Sequence, residues 1–75
     1  MDFIVRRGKE VMAIEVKAKR QLVSRDFQGL RAIAGLAGLK RRVTVFLGDH
    51  PFVTDDGIEV LPVAEFVREL ERRQI

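Results

Sequence analysis

Val11-Met12-Ala13-Ile14-Glu15-Val16-Lys17-Ala18 is a near-continuous apolar run interrupted only by Glu15 and Lys17, two residues apart. Such a run, rich in β-branched and aliphatic residues, reads as a strand. Side chains alternate along a strand, so Val11, Ala13, Glu15 and Lys17 share one face and Met12, Ile14, Val16 and Ala18 the other. The expectation is that the apolar face packs and the charged face projects. Upstream, Asp2-Phe3-Ile4-Val5-Arg6 is a second short strand, and Arg7-Gly8-Lys9 supplies a turn. The two strands form a β-hairpin. With Arg7-Gly8 or Gly8-Lys9 as a two-residue turn, Asp2 lies opposite Ala13 or Glu15. Either register places Asp2, Glu15 and Lys17 on one face, because cross-strand partners share a face.

Downstream, Ser24 is positioned to cap a helix. Phe27, Leu30, Ile33, Ala34 and Ala37 follow helical spacing, Asp26 sits in the first turn and Gly38 near the end. Gly29 and Gly35 weaken this helix by up to ~1 kcal/mol each, which suggests close approach of another backbone. Lys40-Arg41-Arg42 reads as cations at the helix C-terminus, with a backbone contact to nucleic acid as the alternative. Val43 to Leu47 is a strand covered on both faces. Ile58 to Leu61 is a fourth strand, and Pro62 starts a last helix through Ile75. Its stripe of Val63, Phe66, Val67, Leu70 and Ile75 covers the sheet or meets another copy. The order β-β-α-β-β-α predicts an α/β fold with a mixed four-stranded sheet and helices packed on it.

Composition sets bounds on function. Seventy-five residues accommodate one domain, residues 1–75, with a small core that invites self-association. The absence of cysteine excludes disulfides and thiolate metal sites, and fits a reducing cytoplasm. No apolar stretch approaches the ~18 residues of a membrane span. Fourteen Lys and Arg against eleven Asp and Glu leave a net charge of +3, and ten of those cations are Arg, which is compatible with nucleic acid. His50, in a Gly-Asp-His-Pro loop, has no partner at metal-ligand spacing, and Asp55-Asp56-Gly57 is turn chemistry.

Two carboxylates a few ångströms apart are stabilised by a hard cation or a nearby ammonium, and the Asp2, Glu15, Lys17 face offers both. A cation there would activate a water toward phosphorus, with Lys17 assisting the water or neutralising developing charge. Asp2 followed thirteen residues later by Glu15-Val16-Lys17, on adjacent strands and ahead of a helix, resembles the D-(x)n-E-x-K signature of the PD-(D/E)XK nuclease superfamily. Together with Val45-Phe46-Leu47-Gly48 and Gly57-Ile58-Glu59-Val60-Leu61-Pro62-Val63, the pattern is similar to the C-terminal nuclease-like domain of a group of bacterial and archaeal AAA+ ATPases.

That resemblance implies a truncated restriction-endonuclease-like core acting as a Mg²⁺- or Mn²⁺-dependent deoxyribonuclease. Asp2, Glu15 and the main-chain carbonyl of Val16 would hold the metal, and Lys17 would be the catalytic lysine. The implied partners are DNA and either a second copy or an ATPase domain. Lys19, Arg20 and Arg25 then stand where they could hold phosphates near the start of the first helix. The family's core normally opens with a helix and a strand ahead of the Asp; the chain therefore reads as a free-standing remnant of the domain or a piece of a longer protein. Gly35-Leu36-Ala37-Gly38-Leu39-Lys40 lacks phosphate-loop spacing, so no ATPase activity is expected of this chain. The rival expectation is a catalytically silent module that keeps the fold for nucleic-acid binding or assembly.

Overall fold

The computed structural model describes residues 2–72. Five strands form one mixed sheet: β1 (Asp2–Arg7), β2 (Glu10–Val16), β3 (Leu39–Phe46), β4 (Phe52–Val53) and β5 (Glu59–Pro62), in the spatial order β1-β2-β3-β5-β4. A 3₁₀ turn, Ser24–Phe27, leads into the short α1 (Gln28–Ala32), and α2 (Val63–Glu71) follows β5. The centre is parallel, β2 with β3 and β3 with β5, while β1 and β4 are antiparallel edges. The α/β class is as expected, but the sheet has five strands rather than four. Strand β4 is two residues long, too short to carry a periodicity. It is held by pairing with β5 and by the edge-on contact of Phe52 with Phe46, ring centroids 6.1 Å apart.

The hairpin turns at Gly8 and Lys9, the second of the two predicted geometries, and places Asp2 directly across from Glu15. Both faces of β2 are covered. Ala13 joins Phe27, Leu30, Phe46, Ile58 and Val60 under the α1 segment, whereas Ile14 joins Val43, Val45 and Leu61 on the α2 side, with Phe66 against them. The expectation that the charged face of β2 projects is therefore corrected. Val11, Ala13 and Glu15 are all buried, because Phe27 and Leu30 close over this face. Side chains the size of Val11, Phe27 and Leu30 each contribute about 1.5–3 kcal/mol by burial.

The first helix is shorter than its periodicity predicts. Val23 rather than Ser24 caps the 3₁₀ turn, Phe27 is the N-cap of α1, and beyond Ala32 the bonds from Ala34 N–H to Arg31 O and from Leu36 N–H to Ile33 O are three residues long, a 3₁₀ pattern. Without side chains, Gly29 and Gly35 supply little propensity to extend it.

The cations assigned to its C-terminus lie instead in β3, where a bulge at Lys40 shifts the pairing with β2. Arg41 bonds Glu59 and Glu69 on the α2 side, and Arg42 reaches Asp56 and the Leu30 carbonyl on the other. Glu59, first, and then Glu69 raise the Arg41 pKa further. These partners let a charged triplet occupy a strand.

The α2 stripe divides. Phe66 packs against the core, but Val63, Val67 and Leu70 are 44, 44 and 45% exposed. The helix ends at Glu71, and its expected extension to Ile75 falls outside the described residues. Among the described residues no helix is long and apolar enough to cross a membrane.

Candidate active site

The carboxyl ends of the parallel strands are where an open α/β sheet presents its binding groups, and Glu15 and Lys17 sit at that end of β2. The strand continues beyond Val16 as an extension of the ladder: Lys17 N–H donates to Val45 O and Leu47 N–H to Lys19 O. Backbone groups alternate sides along a strand. Since Lys17 N–H points to β3, the Val16 carbonyl points to the β1 side, where the register brings Asp2. Asp2, Glu15 and the Val16 carbonyl are thus drawn to one end of the β1–β2 pair.

Glu15 is only 6% exposed. Its Oε1 lies 2.7 Å from Lys17 Nζ, and its Oε2 lies 3.0 Å from where a side chain on Gly29 would begin. The neighbour at Gly29 is thus a side-chain carboxylate rather than the backbone expected, and at Gly35 nothing lies within 4 Å of a Cβ. A residue with a Cβ at that point of α1 would push on the carboxylate. The other predicted site residues are spread along the segment after β2. Lys19 is bound to Asp26 at 2.8 and 3.0 Å, and Arg20 pairs with Asp49 at 3.3 Å in an exposed position. Arg25 is exposed and makes no ion pair among the described residues. The expected help from a helix dipole is missing, since a 3₁₀ turn and five α-helical residues sum few peptide dipoles.

Asp26 has a larger part than the sequence suggested. It is 8% exposed, accepts from Lys19 Nζ and Val23 N–H, and fixes the segment that covers Glu15. Its pKa is lowered, first by the hydrogen bond from Lys19, then by that from Val23, with Lys17 adding a weaker pull. On the far side of α1, Asp56 is lowered to about 2 by the Thr54 hydroxyl and then Arg31. Both carboxyls are more acidic folded than unfolded. The stabilisation from Asp56 is therefore complete above the ordinary value of 3.8 and is lost as pH falls toward about 2, and that from Asp26 is lost in the same direction, below the ordinary carboxylate value. Urea midpoints between pH 6 and 2.5 are expected to fall below pH 4, and Asp26→Asn to flatten part of that limb; an unchanged limb would show that the Lys19 pair contributes nothing.

Two open cavities, of about 100 and 220 Å³, lie at the opposite end of the sheet, beside Met12 and Arg41 and beside Leu39 and Gly57. They do not meet Glu15. Among the described residues no group of three or more acidic, histidine or cysteine side chains could hold a metal by itself. A cation at Glu15 would meet its carboxylate and the Val16 carbonyl, hard oxygen donors of the kind that suit Mg²⁺.

No curated protein and no solved structure matches the chain. A family model described as a domain of unknown function, DUF4143, matches residues 1–66. With most of its length under that match, from the β1–β2 hairpin into α2, the chain belongs to the DUF4143 family.

Proposed function

We propose that this chain is a divalent-cation-dependent nuclease module of the PD-(D/E)XK type, hydrolysing phosphodiester bonds in DNA. The supporting observation is the hairpin register, which sets Asp2 across from a buried Glu15 whose carboxylate touches Lys17. Asp2, Glu15 and the Val16 carbonyl hold the cation, which when bound supplies charge neutralisation at phosphate and a more acidic water. Lys17 moves its ammonium from Glu15 toward the developing negative charge on phosphate. Arg25 and, after release from their carboxylates, Lys19 and Arg20 contact the DNA backbone.

The reading is tested by incubating single-stranded, duplex and branched DNA with Mg²⁺ or Mn²⁺, with and without chelator, and comparing wild type with Glu15→Ala and Lys17→Ala. Metal-dependent products from wild type alone are expected. Equal products from all three proteins would sink it.

Gly29→Ala supplies a finer check. The added methyl crowds Oε2 of Glu15, while alanine favours the helix by up to ~1 kcal/mol. Thermal stability should hold to within ~1 kcal/mol while cleavage falls about tenfold, since displacements of an ångström at a reacting group cost about 100-fold. Unchanged cleavage would mean that the carboxylate's position does not matter.

A second reading, a silent module for nucleic-acid binding or assembly with an ATPase partner, is favoured by two features. Lys19 and Arg20 already have carboxylate partners, and α2 leaves Val63, Val67 and Leu70 exposed. It predicts DNA binding or association without metal-dependent products.

A further inference from the structure

Thr44, at the middle of the sheet, is 0% exposed, and its hydroxyl has no hydrogen-bond partner among the described residues. A buried hydroxyl in that state carries its desolvation cost without return. Valine has nearly the same shape and occupies positions 43 and 45 of the same strand, so packing alone gives no reason for threonine. The polar group must serve something on its own face. In the parallel register Thr44 is the lateral neighbour of Glu15 on one side and of Val60 on the other. Two residues away on that face of β3, Phe46 is apolar and Arg42 is directed to Leu30 O and Asp56. Among the described residues, the Glu15 carboxylate is the side-chain acceptor that the register sets directly beside Thr44 on this face.

We infer that Thr44 is a positioning residue for Glu15, its hydroxyl donating to the carboxylate once Lys17 leaves Oε1. With the ammonium in place, Glu15 has a strong donor at 2.7 Å and the hydroxyl is redundant. When Lys17 turns to phosphate, a buried carboxylate bound through one oxygen needs another donor to keep its orientation, and Thr44 stands beside it on a rigid central strand. This rests on Glu15 being a metal ligand, as proposed above.

The test compares Thr44→Val, Thr44→Ser and Glu15→Gln with wild type by thermal melting without metal and by Mn²⁺ affinity from electron paramagnetic resonance. Thr44→Val removes an unsatisfied group and is expected to raise Tm by about 4 °C. It should also weaken Mn²⁺ binding about tenfold, the usual scale for losing a group that orients a metal ligand. Thr44→Ser should restore the affinity even though it loses a methyl and packs less well. A purely structural threonine gives a lower Tm with unchanged affinity in the valine variant. Mn²⁺ binding that depends on Glu15 but ignores Thr44→Val overturns the inference and leaves the metal site standing. A wild-type protein that binds no Mn²⁺ removes both.

Discussion

Replacing Glu15 by alanine is expected to lower metal-dependent cleavage of DNA at least about 1000-fold while leaving the protein folded. The two halves of that result have separate causes. The carboxylate sits at the end of β2 opposite Asp2, and losing it removes the buried anionic ligand proposed for the cation. Several kcal/mol of charge stabilisation go with the metal, and each ~1.4 kcal/mol is tenfold in rate. The fold, in contrast, loses little. Lys17 is 31% exposed along its side chain, so its ammonium reaches water when Glu15 is gone, and a buried anion no longer has to be solvated by the protein. Glu15→Gln keeps the volume beside Gly29 and removes only the charge. It should be as inactive as alanine and melt within about 5 °C of wild type, on the scale of a ~1 kcal/mol change. Single-turnover cleavage with Mn²⁺, read beside a melting curve on the same sample, checks both. Activity retained by the glutamine variant would show that the carboxylate is not a ligand, whatever its neighbours.

The hairpin shows how much of this site was legible in the amino-acid order. A two-residue turn at Gly8 and Lys9 fixes the sum of paired positions, and the sum alone aligns Asp2 with Glu15. Alternation then assigns Lys17 to the same face. What alternation does not reveal is the layer that covers a face. Glu15 looked like a projecting charge, but a separate segment brings Gly29 against its carboxylate and Phe27 and Leu30 over the same face. Gly29 held the one sequence signal of that approach, because a glycine within a helical pattern needs a neighbour to explain it. Asp26 was read as a first-turn acid, which it is, but its pairing with Lys19 joins positions whose side chains meet only after the chain turns at Arg20 and Gln21. The triplet Lys40-Arg41-Arg42 was misplaced for a similar reason. Cations are poor strand formers until their carboxylate partners are known, and Glu59 and Glu69 come from β5 and α2.

Gly38→Ala is expected to be strongly damaging for a single added methyl, lowering Tm by roughly 15 °C. Gly38 has φ +81°, a conformation that costs a side-chain-bearing residue about 1–2 kcal/mol. A Cβ there would also run into the carbonyl oxygen of Lys9 and lie 3.7 Å from a methyl of Val11. Backbone cannot yield as a side-chain tip does. Lys9 is half of the hairpin turn, and the Gly38 carbonyl accepts from Val11 N–H at 2.9 Å, so the clash falls where β3 begins to align with β2. Together the conformational and steric costs come to about 3 kcal/mol, and each kcal/mol moves Tm by about 4–8 °C in a domain of this size. A 75-residue domain holds roughly 4–11 kcal/mol in total. Gly35→Ala is the matched control. Nothing lies within 4 Å of a Cβ at Gly35, so that change should be neutral or mildly stabilising. If the two variants melt alike, the contact between Gly38 and the hairpin turn does not set the β2–β3 register. If they differ as expected, that contact anchors one end of the ladder whose other end sets Thr44 beside Glu15. Cleavage by Gly38→Ala, measured well below its Tm, should then fall together with the amide-exchange protection of Val11 and Leu39.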